Sequence, residues 1–431
     1  MHTATQPLQY PGLASIQRRR VLTILSGSTL LIAASAVPSY VLGEERGAEL
    51  ARFINRGYES AATATAMTSQ DVWQNGNEEI KIELLLPSNV AQAPLVIYLP
   101  GLGEPVDAGE KWRIGWAQAG YAVASMQTVS SAALWSTSAG RNGDFKRAAS
   151  EQFAVKSLNT RLERLNFVLR EVARRAQTGD SGYSRIDTSR VAVAGFDLGA
   201  QTALAVAGEN HPGMADLPAM PGLRAVIALS PQAILARGGF VERFGAIHLP
   251  TLTVTGTEDG DPYGLVDSPH TRQAPFNYMT PGDKYLLVVE DGTHQLLAGA
   301  GRSVVLPGED ANGEPKDFPP DGGRRGPPGG LERSNFGGGP GGMGVPGGRG
   351  GPGGRGDPGG EGGPGGMSRP PPDRAAFQRF AAKALLRQIV IIERISVAFL
   401  DATVKDDTVA REWLVRDAAR WSDPLARLKM K

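Results

Sequence analysis

The positions in this chain best suited to chemistry begin with Gly195-Phe196-Asp197-Leu198-Gly199. Glycines two before and two after a central residue suit a strand that turns sharply into a helix, because they let the two elements approach closely. The central side chain is then held strained and exposed, and the helix N-terminus directs backbone N–H groups at developing negative charge. Here the central residue is Asp197. A carboxylate in that place can attack an sp3 carbon and form an enzyme-bound ester, which a histidine-activated water can hydrolyse. Attack on an ordinary ester would give a high-energy mixed anhydride instead. The chain offers five histidines, and three acids crowd into Glu258-Asp259-Gly260-Asp261. It contains no Cys, which excludes a thiol nucleophile, a zinc-thiolate module and a disulfide scaffold.

The elements that must position these residues alternate. Ile80 to Leu84 has period two, as a half-buried strand should. Pro94 to Leu99, Tyr121 to Met126, Val191 to Ala194, Ala225 to Leu229, Leu252 to Val254 and Tyr285 to Val289 are short apolar or β-rich runs. Glu110 to Ala119, closed by Gly120, and Leu158 to Ala176 read as helices, the latter with Leu162, Leu165, Val168 and Leu169 on one face. This order predicts an α/β fold with a mostly parallel, doubly wound sheet covered on both sides. In such sheets ligands sit beyond the carboxyl ends of the strands, so the loops after each run are the places to look.

Several of those loops together resemble the α/β-hydrolase fold, closest to the branch of dienelactone hydrolases, platelet-activating-factor acetylhydrolase-like esterases and secreted polyester hydrolases. Leu99-Pro100-Gly101-Leu102-Gly103 is similar to the oxyanion loop after the third strand, and Arg190 to Gly195 leads into the elbow. Ala228 to Gln232, Thr255-Gly256-Thr257-Glu258-Asp259 and Gly292-Thr293-His294 resemble the next strand end, the acid loop and the histidine loop, in that order. The resemblance spans about 78–300 and resumes in the helix after 374. It implies His294 as general base, Asp259 as the acid that orients it, and the backbone N–H groups of Leu102 and Leu198 as oxyanion donors. Glu258 and Asp261 compete for the acid's role, and spacing from Gly256 favours Asp259. Three acids in four positions hint at a calcium loop, but the remaining ligand spacing is absent. His211 and His248 lie near prolines at segment edges and read as packing or loop residues; His270 lies in a polar loop. Trp112, Trp116 and Trp135 are candidates for lining the cleft, although aromatics at helical spacing more often build core.

The departure from that branch is at the decisive position, where it carries Ser and this chain carries Asp197. Two readings follow. Asp197 is the nucleophile, as in the haloalkane dehalogenases and epoxide hydrolases that share the fold, or the substitution has silenced an esterase and left a binding or surface protein. The Trp that dehalogenases place after the nucleophile is replaced by Leu198. The His-Gly-x-Pro loop of the epoxide hydrolases is replaced by Pro100-Gly101-Leu102-Gly103.

The first 36 residues read as an export signal: Arg18-Arg19-Arg20, an apolar run from Val21 to Ala36, and Ala34-Ser35-Ala36 as the cleavage pattern. The paired arginines resemble a twin-arginine signal. An exported, periplasmic or extracellular protein is expected, meeting the membrane only through this segment. Removing it takes three Arg and no acid from a chain of formal net charge +1, and no globular segment concentrates basic residues, so a nucleic-acid partner has little support. A small-molecule substrate is expected, with no cofactor and no metal.

Glycine is in excess, 56 in 431 residues, and about half of it falls between Gly301 and Gly366. Gly338 to Gly365 runs in ten Gly-X-Y triplets, a collagen-like frame weakened by Gly at most X positions. The expected organisation is a leader at 1–36, a lead-in at 37–77, the core at 78–300, a Gly/Pro-rich flexible insertion at 301–373, and a helical segment at 374–431 that completes the same domain. Asp373 is placed to cap that last helix, whose apolar anchors are Phe377, Phe380, Ala384, Ile391, Ile395 and Phe399.

Overall fold

A computed structural model describes residues 44–127, 129–180, 182–216, 220–233, 239–300 and 374–431; the leader at 1–36 and the Gly/Pro-rich segment at 301–373 lie outside the described residues. The strands are β1 (Ala66–Asn75), β2 (Glu78–Pro87), β3 (Ala93–Leu99), β4 (Ala122–Met126), β5 (Ile186–Phe196), β6 (Leu223–Leu229), β7 (Thr251–Glu258), β8 (Lys284–Thr293) and β9 (Ala426–Met430). They form one sheet in the order β1-β2-β4-β3-β5-β6-β7-β8-β9. The pairs from β4 across to β8 are parallel, while β1, β2 and β9 run antiparallel at the two edges. The chain is thus mixed α/β with a mostly parallel sheet.

Composition explains the layout. β3 is buried along its whole length, as a central strand covered on both faces must be, hence its continuous apolar run. One face packs on the helices Glu110–Gln118 and Arg374–Val404 through Trp112, Trp116, Ile391, Ile395 and Phe399. The other packs on Val155–Gln177 and Leu198–Ala207 through Leu165, Val168, Val172, Ala203 and Leu204. Each such side chain, fully buried, contributes about 1.5–3 kcal/mol if large. Asp401 ties the C-terminal helix to the rest: it accepts from Tyr58 Oη at 2.8 Å, Ser60 Oγ at 2.6 Å and Tyr121 Oη at 2.7 Å. The side chains of Phe377 and Phe380 lie outside the described residues.

Both edge strands escape the sequence pattern. β1 pairs with β2 from Ala66↔Pro87 to Asn75↔Glu78, so the sheet begins inside the stretch 37–77. Its residues are largely polar, as edge strands usually are, which hides it from a search for apolar runs. β9 pairs with β8 from Tyr285↔Met430 to Val289↔Ala426, beyond the last helices. No helix among the described residues is long and apolar enough to cross a membrane.

One topological fact positions everything that follows. β4 lies on one side of β3 and β5 on the other, so the winding reverses between β3 and β5. Their carboxyl ends are neighbours, with Leu99 opposite Gly195. The ends of β6, β7 and β8 follow in line, through Phe196↔Leu229, Leu229↔Val254 and Gly256↔Val289. A reversal of this kind opens a crevice at the strand ends.

Candidate active site

Asp197 directly follows β5 and caps the helix Leu198–Ala207 with φ 50° and ψ −107°. A non-glycine residue in such a region costs on the order of 1–3 kcal/mol and persists only where its surroundings enforce it. The flanking glycines show how. A Cβ on Gly195 would lie 2.2 Å from the Gly199 carbonyl carbon, and one on Gly199 would lie 1.9 Å from the Leu99 carbonyl oxygen. Helix and strands therefore meet backbone to backbone. Behind them the buried Arg161 holds the elbow helix, donating from Nε to Thr202 Oγ1 at 2.9 Å and from Nη2 to Gln201 Oε1 at 2.6 Å.

The strain matches the sequence expectation but the exposure does not: Asp197 is only 2% exposed, because the Leu102 loop and Tyr263 close over it, and its Oδ2 accepts from the Leu102 N–H at 3.3 Å. Burial pushes this carboxyl above the usual range; His294, Arg272 and the Leu102 N–H pull the other way, and Asp261 adds to the rise. Leu198, the first residue of the helix, supplies one of the amides that has no partner within the helix. The amide next to that of Leu102 is also occupied: Gly101 N–H donates to Glu104 Oε2 at 2.7 Å. Burial pushes the Glu104 carboxyl up to about 7, with the charge of Asp197 adding and Gly101 N–H and His294 opposing.

On the other side of the crevice, Thr293 caps a short turn of helix, His294–Leu297. His294 Nδ1 lies 2.9 Å from Asp259 Oδ1 and 2.9 Å from Ser230 Oγ. Ser230 Oγ donates to Asp259 Oδ1 at 2.7 Å, so its lone pairs face the imidazole. That arrangement puts the ring proton on Nδ1 and leaves Nε2 free to accept. Asp259 is fully buried. Its Oδ2 accepts from Thr255 Oγ1 at 2.8 Å, and the Arg272 guanidinium lies 3.4 Å from Oδ1. Arg272 also donates to the carbonyls of Asp259, Ser230 and Pro231 at 3.0, 3.0 and 3.2 Å, which locks the two loops together. The Phe196 ring lies against that of His294, with centroids 4.7 Å apart.

Between the two sides lies a cleft of about 440 Å³, lined among others by Leu102, Glu104, Phe196, Asp197, Tyr263 and His294. Neither competing acid takes the place of Asp259 beside His294, although Asp261 also lines the cleft. Glu258 is exposed. Asp261 holds its own loop, accepting from the N–H groups of Tyr263 at 3.0 Å and Val266 at 2.8 Å and from that of Leu265. Among the described residues no group of three or more His, Asp or Glu is placed to hold a metal ion. His211 is buried 3.0 Å from Glu209, and His248 and His270 are exposed.

Trp112 and Trp116 are fully buried core residues rather than cleft walls. Trp112 still serves the site, because its Nε1 donates to the Leu297 carbonyl at 2.9 Å and so anchors the turn that carries His294. The side chain of Trp135 lies outside the described residues. The sequence assigns no site role to Ser230, Thr255, Arg272, Glu104 or Tyr263, although Ser230 and Thr255 fall in the strand-end and acid-loop segments named above. Ser230 and Glu104 had one usable signal, since each lies just beyond the end of a central parallel strand. Arg272 had none: it reaches the site from a single turn of 3₁₀ helix, Pro269–Gln273. Neither the family models nor the curated proteins compared with this chain match it.

Proposed function

We propose that this chain is an exported hydrolase of the α/β-hydrolase fold in which Asp197 forms a covalent ester with the substrate. The observation that carries the reading is the elbow carboxylate, hung on the Leu102 amide and sharing one cleft with the His294–Asp259 pair. With Oδ2 held by Leu102, Oδ1 is the attacking oxygen. It displaces the leaving atom from an sp3 carbon and becomes the ester oxygen. His294 Nε2 then takes a proton from water as the water adds to Cγ of Asp197. The oxyanion that forms on Oδ2 stays on the Leu102 amide that already donates to it, with the Leu198 amide as the second donor that the resemblance to the fold implies. Asp259, fixed by its own donors, keeps the imidazole in its tautomer and stabilises the imidazolium.

The His294→Ala variant separates the two steps. Alkylation survives while hydrolysis slows by about 10²–10⁴-fold, the usual contribution of a general base, so the adduct accumulates. Intact-protein mass spectrometry after exposure to epoxides, haloalkanes and activated esters detects it, and peptide mapping places it on Asp197. No adduct and no turnover across that panel defeats the reading. A second reading, a silenced hydrolase that binds its ligand without turnover, draws on the burial of Asp197, which pushes the carboxyl towards the neutral and poorly nucleophilic acid. It predicts ligand binding that Asp197→Asn and His294→Ala leave unchanged.

A further inference from the structure

Three carboxyl groups line the cleft, those of Asp197, Asp261 and Glu104; Asp261 is taken up by its own loop amides, and Glu104 is left without a role by the steps above. Glu104 and Asp197 accept from consecutive amides, Gly101 and Leu102, of one loop, and both line the same cleft. The loop is held in place: the Glu104 carbonyl accepts from Gln127 Nε2 at 3.2 Å, and the Leu102 carbonyl accepts from Tyr263 Oη at 3.2 Å. Asp197 is buried and Glu104 is half-buried beside it, and two carboxyl groups that share one cleft wall do not readily ionise together. With Oε2 accepting from Gly101, a proton on Glu104 belongs on Oε1.

We propose that Glu104 is the proton donor of this cleft and that the substrate is a strained cyclic ether, an epoxide, opened at carbon by Asp197. The proposal rests on Asp197 being the nucleophile. It follows from what each leaving atom needs. A halide departs as a stable anion, whereas an alkoxide is a poor leaving group unless it is protonated as it departs. A site for halide expulsion has no use for a neutral acid beside its nucleophile; a site for ring opening requires one. Glu104 meets Asp197, His294, Tyr263 and Tyr98 across the cleft and its walls, and its carboxyl, pushed up to about 7, holds a proton in the neutral range. Tyr263 is the weaker donor. Its hydroxyl proton is directed at the Leu102 carbonyl, and burial with nearby acids pushes it up to about 12.

The steps balance. Asp197 Oδ1 attacks one ring carbon, the C–O bond breaks, and the ring oxygen takes the proton from Glu104, leaving a hydroxyalkyl ester and a Glu104 carboxylate. Water then gives one proton to His294 and its oxygen to Cγ of Asp197. Collapse of the tetrahedral intermediate expels the second oxygen of the diol, which takes the proton back from His294. Asp197 is left as the acid, and its proton passes to the neighbouring Glu104. The sum is epoxide plus water giving a vicinal diol.

The test measures kcat/KM, which reports alkylation, for 1,2-epoxyhexane and 1-bromohexane with wild-type protein and with Glu104→Gln, Glu104→Asp and Tyr263→Phe. Glu104→Gln is expected to lose about 10²–10⁴-fold on the epoxide and less than about threefold on the bromide, with Glu104→Asp restoring part of the loss. The wild-type epoxide profile falls above pH about 7, and Glu104→Gln abolishes that limb. If the bromide is not turned over, the limb decides. Its persistence in Glu104→Gln overturns the proposal. Equal losses on both probes also overturn it by making Glu104 a positioning residue, as does a loss confined to Tyr263→Phe. Turnover of the bromide alone overturns the oxygen leaving group and leaves Asp197 as nucleophile. If neither probe is turned over by the wild-type protein and neither labels Asp197 in His294→Ala, the underlying reading itself has failed.

Discussion

Asp259 and Asp197 are both aspartates buried at the ends of parallel strands, yet their surroundings differ in kind. Asp259 receives Ser230, Thr255 and the His294 imidazole, with the Arg272 guanidinium beside it. Asp197 faces the cleft with the Leu102 amide at 3.3 Å. Glu104, with the Gly101 amide at 2.7 Å, belongs with Asp197. A buried carboxylate surrounded by donors and an opposite charge is anchored, and its use is to orient something else. One with sparse donors is held above its ordinary titration range by desolvation and is ready to gain or lose a bond. The crevice thus separates a donor-rich half, built from β6, β7 and β8, from a donor-poor half, built from β3 and β5, to which the proposed function assigns the reactive carboxyl groups.

The sharpest way to break this contrast is to neutralise each aspartate. Asp197→Asn is expected to lower kcat/KM by at least about 10⁴-fold, since residues that act as one catalytic unit fail together. Folding stability should be unchanged or raised, because the substitution removes a poorly compensated buried charge. Asp259→Asn should lower kcat by about 10³–10⁴-fold, as its amide favours the wrong tautomer. It should also lose about 3–5 kcal/mol in urea unfolding, because Arg272 is left without its counter-charge. Equal destabilisation by the two substitutions would erase the distinction between the halves.

The pH dependence of stability sharpens it further. The Glu104 carboxyl, ordinarily near 4.5, is pushed up to about 7 in the folded protein, so the folded state binds this proton more tightly than the unfolded state. The stabilisation this contributes is fully present below pH 4.5 and is lost as pH rises through about 7. It amounts to roughly 3 kcal/mol. Denaturant unfolding between pH 5 and pH 8 should therefore show a slope that Glu104→Gln flattens. The smallest effect expected is that of Thr255→Val, which removes one of several donors to Asp259. A loss of about 1 kcal/mol is expected, with little change in the pH profile of kcat/KM.

Much of the fold is legible from local pattern. The apolar runs ending at Leu99, Met126, Leu229 and Val289 are central strands because only a strand covered on both faces is apolar throughout. The glycines around Asp197 can be read as a tight strand-to-helix turn before any coordinates, and the 2.2 and 1.9 Å approaches give the reason no larger residue fits there. β1 and β9 are not legible in the same way, since half-exposed edges carry polar residues and their pairing is set by neighbours distant in the chain. Ser230, Arg272 and Glu104 lack any shared spacing. They reach the two sides of one crevice only because β3, β5, β6 and β7 lie side by side, and local sequence does not encode strand order.

The amino-acid sequence by itself determined the layered α/β character, the strained turn that presents Asp197, and the absence of any thiol chemistry. Tertiary structure alone decided which acids are anchored by several donors and which keep few. A carboxylate's behaviour depends on how many donors converge on it and how much water it loses. Both are set by which strand ends become neighbours.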